Sequence, residues 1–482
     1  MEKYSRKTTL SNLIWRFLER CGAQGVTFIV SIILARLLDP VIYGTVALVT
    51  VFNSILQVFI DSGMGSALIQ KKNADDIDFS SVFYFNIFIS FVLYGLMFVA
   101  APVLAHFYNN PDLISLIRVS SLTLLISGIK NVQQAYVSRN MMFKRFFYAT
   151  LGGTIGAAFV GIWMAYQGFG AWALVTQNLF NMTVDTVILW FTVKWRPIKA
   201  FSFKRLKNLF DYGWKLLVSG LLDTVYNDLQ QLIIGKKYTY EDLAYLNRGQ
   251  AMPNILITNI NASINSVLLP VMSSEQDNRE RVKSMTRRSI KTSTYIIMPM
   301  MMGLAVCAEP LVRLLLTEKW LSSVFFMRIF CFIYAFYPIH TANLSSIKAM
   351  GRSDLFLKLE IIKKMVGLTL LFSTVWISVE AMAYSLLVSS IISQIINSWP
   401  NKNLLNYCYT EQLKDILPQI ILSVAMGVIV YSIQFVGLSS IMTLIIQIPL
   451  GMILYWAGSK MFRIDSYTYI LSVINEFKKQ KR

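Results

Sequence analysis

Long apolar stretches alternate with short polar breaks along almost the whole chain, and that rhythm governs how it folds. Apolar runs fall near residues 10–37, 41–69, 79–105, 113–138, 146–166 and 171–193. After a basic interval come runs near 209–235, 243–272, 288–316, 321–348, 355–377 and 380–399, then a final pair near 416–435 and 438–458. Each is about 20 residues or longer, enough for a helix to cross a hydrocarbon core of roughly 30 Å. Backbone amides cannot go unpaired in lipid, and the period-two alternation of a membrane barrel is absent, so helices are the expected form. The chain reads as an all-α polytopic membrane protein of about fourteen transmembrane helices.

Polar residues interrupt some of these runs at helical spacing. In the first run Arg16, Arg20, Gln24, Thr27 and Ser31 share one face, and in the seventh Lys215, Ser219, Asp223, Asn227 and Gln231 follow a slowly turning stripe. The second run carries Thr50, Asn53, Gln57 and Asp61; the eighth carries Asn254, Thr258, Asn261 and Asn265. These four runs occupy equivalent places in an internal repeat offset by about 200 residues, where 36–44 overlies 236–244 and 66–69 overlies 266–269. Further on, at an offset of 208 to 210, Pro102 meets Pro310, Arg118 meets Arg328 and Lys130 meets His340. Two lobes of six helices are expected, 1–193 and 209–400, joined by a basic cytoplasmic linker at 194–208. A further helix pair and a basic cytoplasmic tail follow at 401–482. Six spans return the chain to its starting side, so the lobes are expected to have parallel topology, with substrate held between them.

Charge refines this picture. Only 15% of residues are charged, yet the net charge is +19. With the amino terminus inside, most of the 45 lysines and arginines fall on the cytoplasmic side, notably in 194–207, 279–291, 348–364 and 460–482. Such one-sided clustering holds topology and meets anionic headgroups, so membrane lipids replace nucleic acid as the partner of this basic surface. Both termini are expected in the cytoplasm. The amino-terminal Lys3, Arg6 and Lys7 are followed by no short apolar core with a small-residue cleavage site, so the first run is expected to be retained as a helix. The outward loops are short, which leaves no room for an external catalytic domain.

Asn, Gln, Ser and Thr inside a span serve either as interhelical contacts or as cavity lining. Charges are costlier, at least about 2.5–3.5 kcal/mol at the bilayer centre. Arg16, Arg20, Lys130 and Lys215 lie one to two turns inside the cytoplasmic ends of four runs, either snorkelling or converging on a cationic vestibule. Gln24, Asn53, Asn227 and Asn261 are candidates for a polar cavity behind it, and Arg248 for an outer contact with substrate. Asp61 is a candidate partner for Arg16 or Arg20; Asp223 and Asp228 either pair with cations or hold a coupling ion. Cys21, Cys307, Cys331 and Cys408 are scattered, and His106 and His340 are far apart, so no metal site or cofactor is expected. The acidic group Asp75, Asp76 and Asp78 precedes the third run, where carboxylates favour a helix N-terminus over a metal. No phosphate-binding glycine loop or nucleophile elbow is present. Glycines at 152, 153, 156 and 161 sit in an apolar helix and suggest close packing.

Four segments carry a family resemblance. They are Ser31-Ile-Ile-Leu-Ala-Arg-Leu-Leu-Asp-Pro-Val-Ile-Tyr-Gly44, Asp61-Ser-Gly-Met-Gly-Ser-Ala-Leu-Ile-Gln70, Phe79-Ser-Ser-Val-Phe-Tyr-Phe-Asn86 and Ser345-Ser-Ile-Lys-Ala-Met-Gly-Arg352. The chain resembles the Wzx-like polysaccharide transporters of the multidrug/oligosaccharidyl-lipid/polysaccharide (MOP) superfamily, and its span number is similar to that of colanic-acid and teichuronic-acid exporters. The resemblance implies a MATE-like pair of six-helix lobes around a V-shaped cavity in the bacterial cytoplasmic (inner) membrane. It implies a flippase, not an enzyme, carrying a few sugars on undecaprenyl pyrophosphate and handing them to glycan polymerase or export machinery. A basic vestibule suits a pyrophosphate, which arginine binds through paired hydrogen bonds. Three other readings compete: a cation-coupled drug antiporter of the same superfamily, a flippase for the peptidoglycan precursor, and a membrane glycan polymerase or ligase.

Overall fold

The structure, a computed structural model, describes residues 6–480 except 62 and 72; side chains are described from residue 22 onward, apart from those at 143, 212, 262, 263, 265–267, 353, 473, 474 and 477–480. Arg16 and Arg20, with Cys21 and Asn265, therefore lie outside the described side chains. The elements in chain order are α1 (Arg6–Leu37), α2 (Pro40–Asp61), α3 (Met64–Gln70), α4 (Asp76–Phe107), α5 (Leu113–Ser120), α6 (Leu122–Arg139), α7 (Phe143–Tyr166), α8 (Ala171–Thr192), α9 (Phe203–Lys237) and α10 (Tyr240–Ser274). They continue with α11 (Arg279–Val306), α12 (Ala308–Leu316), α13 (Ser323–Ala335), α14 (Tyr337–Ala349), α15 (Ser353–Thr374), α16 (Val379–Leu405), α17 (Tyr409–Ser432), α18 (Ser440–Met461) and α19 (Asp465–Gln480). Among the described residues every regular element is helical, as the apolar pattern requires.

By length and apolar composition, eight described helices or joined helix pairs can cross a membrane, or nine when α11 and α12, bent by 65° at Cys307, count as one span. Among the other long helices, α8, α9, α10 and α15 carry polar or charged residues along their length, and the described part of α1, Gly22–Leu37, is apolar. The chain divides into two compact units, Met1–Ala244 and Tyr245–Arg482.

The repeat is visible in the element boundaries. The break between α1 and α2 at Leu37 and Pro40 recurs between α9 and α10 at Lys237 and Tyr240, an offset of 200. Downstream, α6 and α14 end at Arg139 and Ala349, an offset of 210, and each leaves its helix through a left-handed residue, Met141 (φ 52°) and Gly351 (φ 73°). The spans holding α6 and α14 are broken in the same way, at Ser121 and Phe336.

Within the first unit, α7 packs along α8 and α1. Gly153 permits this: a Cβ there would lie 2.9 Å from the carbonyl oxygen of Asn181, closer than side chains approach backbone. At the break between α2 and α3, Gly63 takes φ 66° and sits against the Gly213 backbone of α9, so any side chain would be both strained and crowded.

The interval 194–208, expected as a linker, is docked onto the start of α4. Trp195 and Leu206 are buried, and Trp195 stacks on Tyr136 with ring centroids 6.0 Å apart. The backbone N–H groups of Ile198 and Ser202 donate to Ser80 and Ser81, at 3.0 Å each. The acidic group of this region has local partners. Asp75 and Asp78 form a capping box on α4, Asp78 also accepts from Lys71 at 2.6 Å, and Asp76 accepts from Trp195 at 3.1 Å. Arg205 pairs with Asp75, and its guanidinium together with the Asp78 backbone N–H holds the Asp75 carboxyl below its usual value of 3.8.

In the second unit a group of buried polar residues on α14, α16 and α17 bond one another. Asn343 of α14 donates to Gln412 of α17 (2.8 Å) and Ser398 of α16 (3.1 Å), and accepts from Asn401 (2.6 Å) and Gln412 (3.0 Å). All four residues are buried. This amide lattice fastens α17 to the helices before it. Cys307 and Cys331 are buried free thiols, consistent with a packing role.

Candidate functional site

The polar residues of the first unit behave differently. On α2, Thr50, Asn53, Ser54, Gln57 and Asp61 fall at i, i+3, i+4, i+7 and i+11 and so share one side. On α6, Thr123, Ser127, Lys130, Asn131 and Gln134 likewise share one side, and α8 contributes Asn178 and Met182. These three helices enclose a cavity of about 350 Å³, within the range of small-ligand pockets, roughly 300–1,000 Å³.

At its wall Lys130 pairs with Asp185 of α8; their side chains are 13% and 11% exposed. One carboxylate oxygen of Asp185, Oδ1, has no hydrogen-bond partner. A charge pair this desolvated is held only by good geometry, and either group alone is costly. Asp61 faces solvent and accepts from Gln57 (3.0 Å) and Asn131 (2.7 Å). The cavity thus offers carboxylate acceptors, amide donors and acceptors, hydroxyls and one cation, a set suited to a ligand rich in hydroxyl groups.

The expected site residues are distributed as follows. Asn53, Asp61 and Lys130 are brought together at this cavity. Asn53 is also structural, donating to Ser120 (2.8 Å) and accepting from Ser121 (2.9 Å) where α5 breaks into α6. Asp228 of α9 reaches the same wall from behind: it accepts from Ser54 at 2.6 Å and from Gln231 at 3.2 Å. Lys215, Asp223 and Asn227 lie on the exposed side of α9, and Gln24 is exposed on α1. Arg16 and Arg20 are outside the described side chains.

Arg248 and Asn261 belong to the second unit. Arg248 lies over the ring of the fully buried Trp320, 5.0 Å from its centroid. Asn261 is buried and accepts from Thr341 at 3.4 Å, while its Nδ2 has no partner.

Sequence reasoning missed Asp185, Asn131, Gln134 and Asn178. A signal for Asp185 existed: it is the one charged residue in α8, and a lone carboxylate inside an apolar helix needs a partner. The partner of Lys130 was therefore findable, whereas the amides gave no comparable signal.

Comparison with known proteins places these features in a family. Among solved structures, the chain is similar to the lipid II flippase MurJ in an inward closed conformation, with a TM-score of 0.75 at 15% identity, covering 95% of this chain and 99% of that one. At that identity the likeness concerns the fold. In sequence it is 21% identical over 407 residues to the teichuronic acid biosynthesis protein TuaB of Bacillus subtilis (strain 168), covering 83% of this chain and 84% of that protein. It is 26% identical over 318 residues to the succinoglycan biosynthesis transport protein ExoT of Rhizobium meliloti (strain 1021), covering 65% and 64%. The family described as polysaccharide biosynthesis protein matches residues 33–325, more than half the chain. This multi-pass helical membrane protein belongs to the polysaccharide biosynthesis protein family.

Proposed function

We propose that the protein is a flippase that carries undecaprenyl-pyrophosphate-linked oligosaccharides across the bacterial cytoplasmic membrane by alternating access, supplying units for surface polysaccharide assembly. The observation that carries this reading is the polar, charge-bearing cavity of α2, α6 and α8 in the first unit. Free passage of a glycan through lipid strips its hydroxyls of partners; a lining of amides and carboxylates replaces them. Family membership, the names of the relatives and the flippase-like fold support the same reading.

In this account the chain has fourteen spans with both termini cytoplasmic. Lobes 1–193 and 209–400 have parallel topology and rock against each other, braced by 401–482. Gln57, Asp61, Asn131 and Gln134 take sugar hydroxyls. Arg16, Arg20 and Lys215 meet the pyrophosphate as the cytoplasmic vestibule, joined by Gln24 and Asn227, while the polyprenyl tail stays in lipid. Arg248 and Asn261 make the contacts of the second lobe, and Asp223 or Asp228 responds to a coupling ion. The Lys130–Asp185 pair holds the cavity wall in register and offers its cation to acidic substituents. Any driving force acts by giving the two states different affinities for substrate or ion. A polymerase on the outer side removes the product.

Deleting the gene in its host tests this directly. Undecaprenyl-linked oligosaccharide should accumulate on the inner side while surface polysaccharide falls. Unchanged surface polysaccharide together with raised sensitivity to cationic drugs would refute it and favour an antiporter.

A further inference from the structure

A second polar pocket lies in the second unit, away from any residue given a transport role above. Along α11, Ser284, Arg287, Arg288, Lys291 and Thr292 recur at i, i+3, i+4, i+7 and i+8 and form one stripe. The first turns of α19 face that stripe through Asp465, Ser466 and Tyr469, and together they enclose a pocket of about 260 Å³. Its walls hold three cations, one carboxylate and several hydroxyls.

The cations are not equally occupied. Arg287 is committed to α17, bonding Asp415 at 2.7 Å and Glu411 at 3.2 Å. Arg288 instead lies over the Tyr469 ring, 4.7 Å from its centroid, and among the described residues no carboxylate lies within 4 Å of it. Its guanidinium edge keeps its hydrogen-bond donors for a ligand, the arrangement in which arginine grips phosphate. Lys291 pairs with Asp465 at 2.6 Å, but the Asp465 side chain is 80% exposed. A bridge to so exposed a carboxylate is weak and is readily exchanged for a stronger anion.

Position names the kind of anion. The α19 side of the pocket begins at Asp465, four residues after the candidate span α18 ends at Met461, and α11 runs on from its basic half into an apolar half. It therefore sits at a membrane boundary, where headgroup phosphates are concentrated. Next to it Tyr469 and Leu471 of α19 are exposed apolar groups on a helix whose sequence ends in Lys478 and Lys479, the composition of an interfacial helix.

We propose that this pocket between α11 and α19 binds the phosphate of an anionic lipid headgroup, with Arg288 and Lys291 as its ligands and Asp465 as the group the phosphate displaces. Bound lipid docks α19 against α11 and ties the carboxy-terminal segment to the anionic leaflet. The site is independent of the transported glycan.

The full-length protein, reconstituted in phosphatidylcholine nanodiscs doped with phosphatidylglycerol, provides the test, with lipid retention read by native mass spectrometry. The Arg288→Ala/Lys291→Ala variant should lose roughly thirtyfold in affinity for phosphatidylglycerol, about fivefold for each cation. Asp465→Asn should gain about fivefold, a rise that misfolding does not produce. Excess inorganic phosphate distinguishes the source: failure to displace the lipid assigns the site to a headgroup, whereas full displacement assigns the same phosphate chemistry to a soluble anion and overturns the lipid. Equal retention by the wild type and both variants overturns the site altogether.

Discussion

Each unit contains one copy of a matched broken span, α5–α6 in the first and α13–α14 in the second, but the two place their polar residues to different ends. On α6 of the first unit, Lys130, Asn131 and Gln134 open onto a cavity; on the matching α14 of the second, His340 and Asn343 are bound up with Asn397, Ser398 and Gln412. The matched positions Lys130 and His340 each reach the last long helix of their repeat, through Asp185 and Asn397 respectively. Gln133 and Asn343, again 210 residues apart, are both fully buried and structural; Gln133 donates to the carbonyl of Trp195 at 3.2 Å. The difference teaches how to tell the two roles of an intramembrane polar residue apart. Groups that satisfy one another hold helices together, and groups left facing a cavity are available to a ligand.

Substitutions on the two sides of this contrast are expected to differ in size. The largest effect is expected for Asp185→Leu, which strands Lys130 and should cost roughly 3–5 kcal/mol, seen as a sharp fall in Tm and in folded yield. Lys130→Met/Asp185→Leu should restore folding close to the parent level while surface polysaccharide stays low; recovery of both would make the pair purely structural. Asn343→Leu removes the short hydrogen bonds to Gln412 and Asn401, leaving them only their longer ones, and should cost about 2–4 kcal/mol. In that variant transport per folded molecule, measured by normalising flipping to monodisperse protein, should be unchanged. Gly153→Val forces α7 off α8 and should cost about 1–3 kcal/mol by thermal denaturation, bearing on helix packing common to any role of the unit.

The smallest effect is expected at the docked interval before α9. Asp75→Ala removes the cap of α4 and should cost about 1 kcal/mol. Because the Asp75 carboxyl sits below 3.8 in the folded protein, its contribution is complete at pH values well above 3.8 and is lost as pH falls through its folded-state value. Thermal scans of wild type and variant should differ at pH 7 and converge in acid.

Much of the fold was legible because lipid imposes a strict rule on apolar length, and the 200-residue and 210-residue offsets recur in the helix ends. Apolar length singles out eight or nine spans, and α9 and α10 are not among them because polar stripes dilute their hydropathy. Periodicity was less able to say which side of a stripe a residue serves. The α9 stripe places Lys215 and Asn227 in the open, yet the neighbouring Asp228 turns to Ser54 of α2. The lone charge of α8 marked Asp185 as needing a partner, but that the partner is Lys130, 55 residues away, depends on how the helices pack. The docking of 194–208 was hidden for a similar reason: its basic composition reads as a linker, while Trp195, Leu206 and two backbone donors fix it to α4.

The central claim is that the cavity of the first unit binds glycan during transport. Purified protein in proteoliposomes, supplied with a fluorescent short-chain polyprenyl-pyrophosphate oligosaccharide, allows flipping to be read by protection from a membrane-impermeant oxidant. Flipping is expected from the wild type, with a loss of at least about fivefold in Asp61→Ala/Asn131→Ala, which deletes two hydroxyl-binding groups worth about 0.5–1.5 kcal/mol each, with Tm unchanged. Wild-type flipping rates in that folded double variant would contradict it.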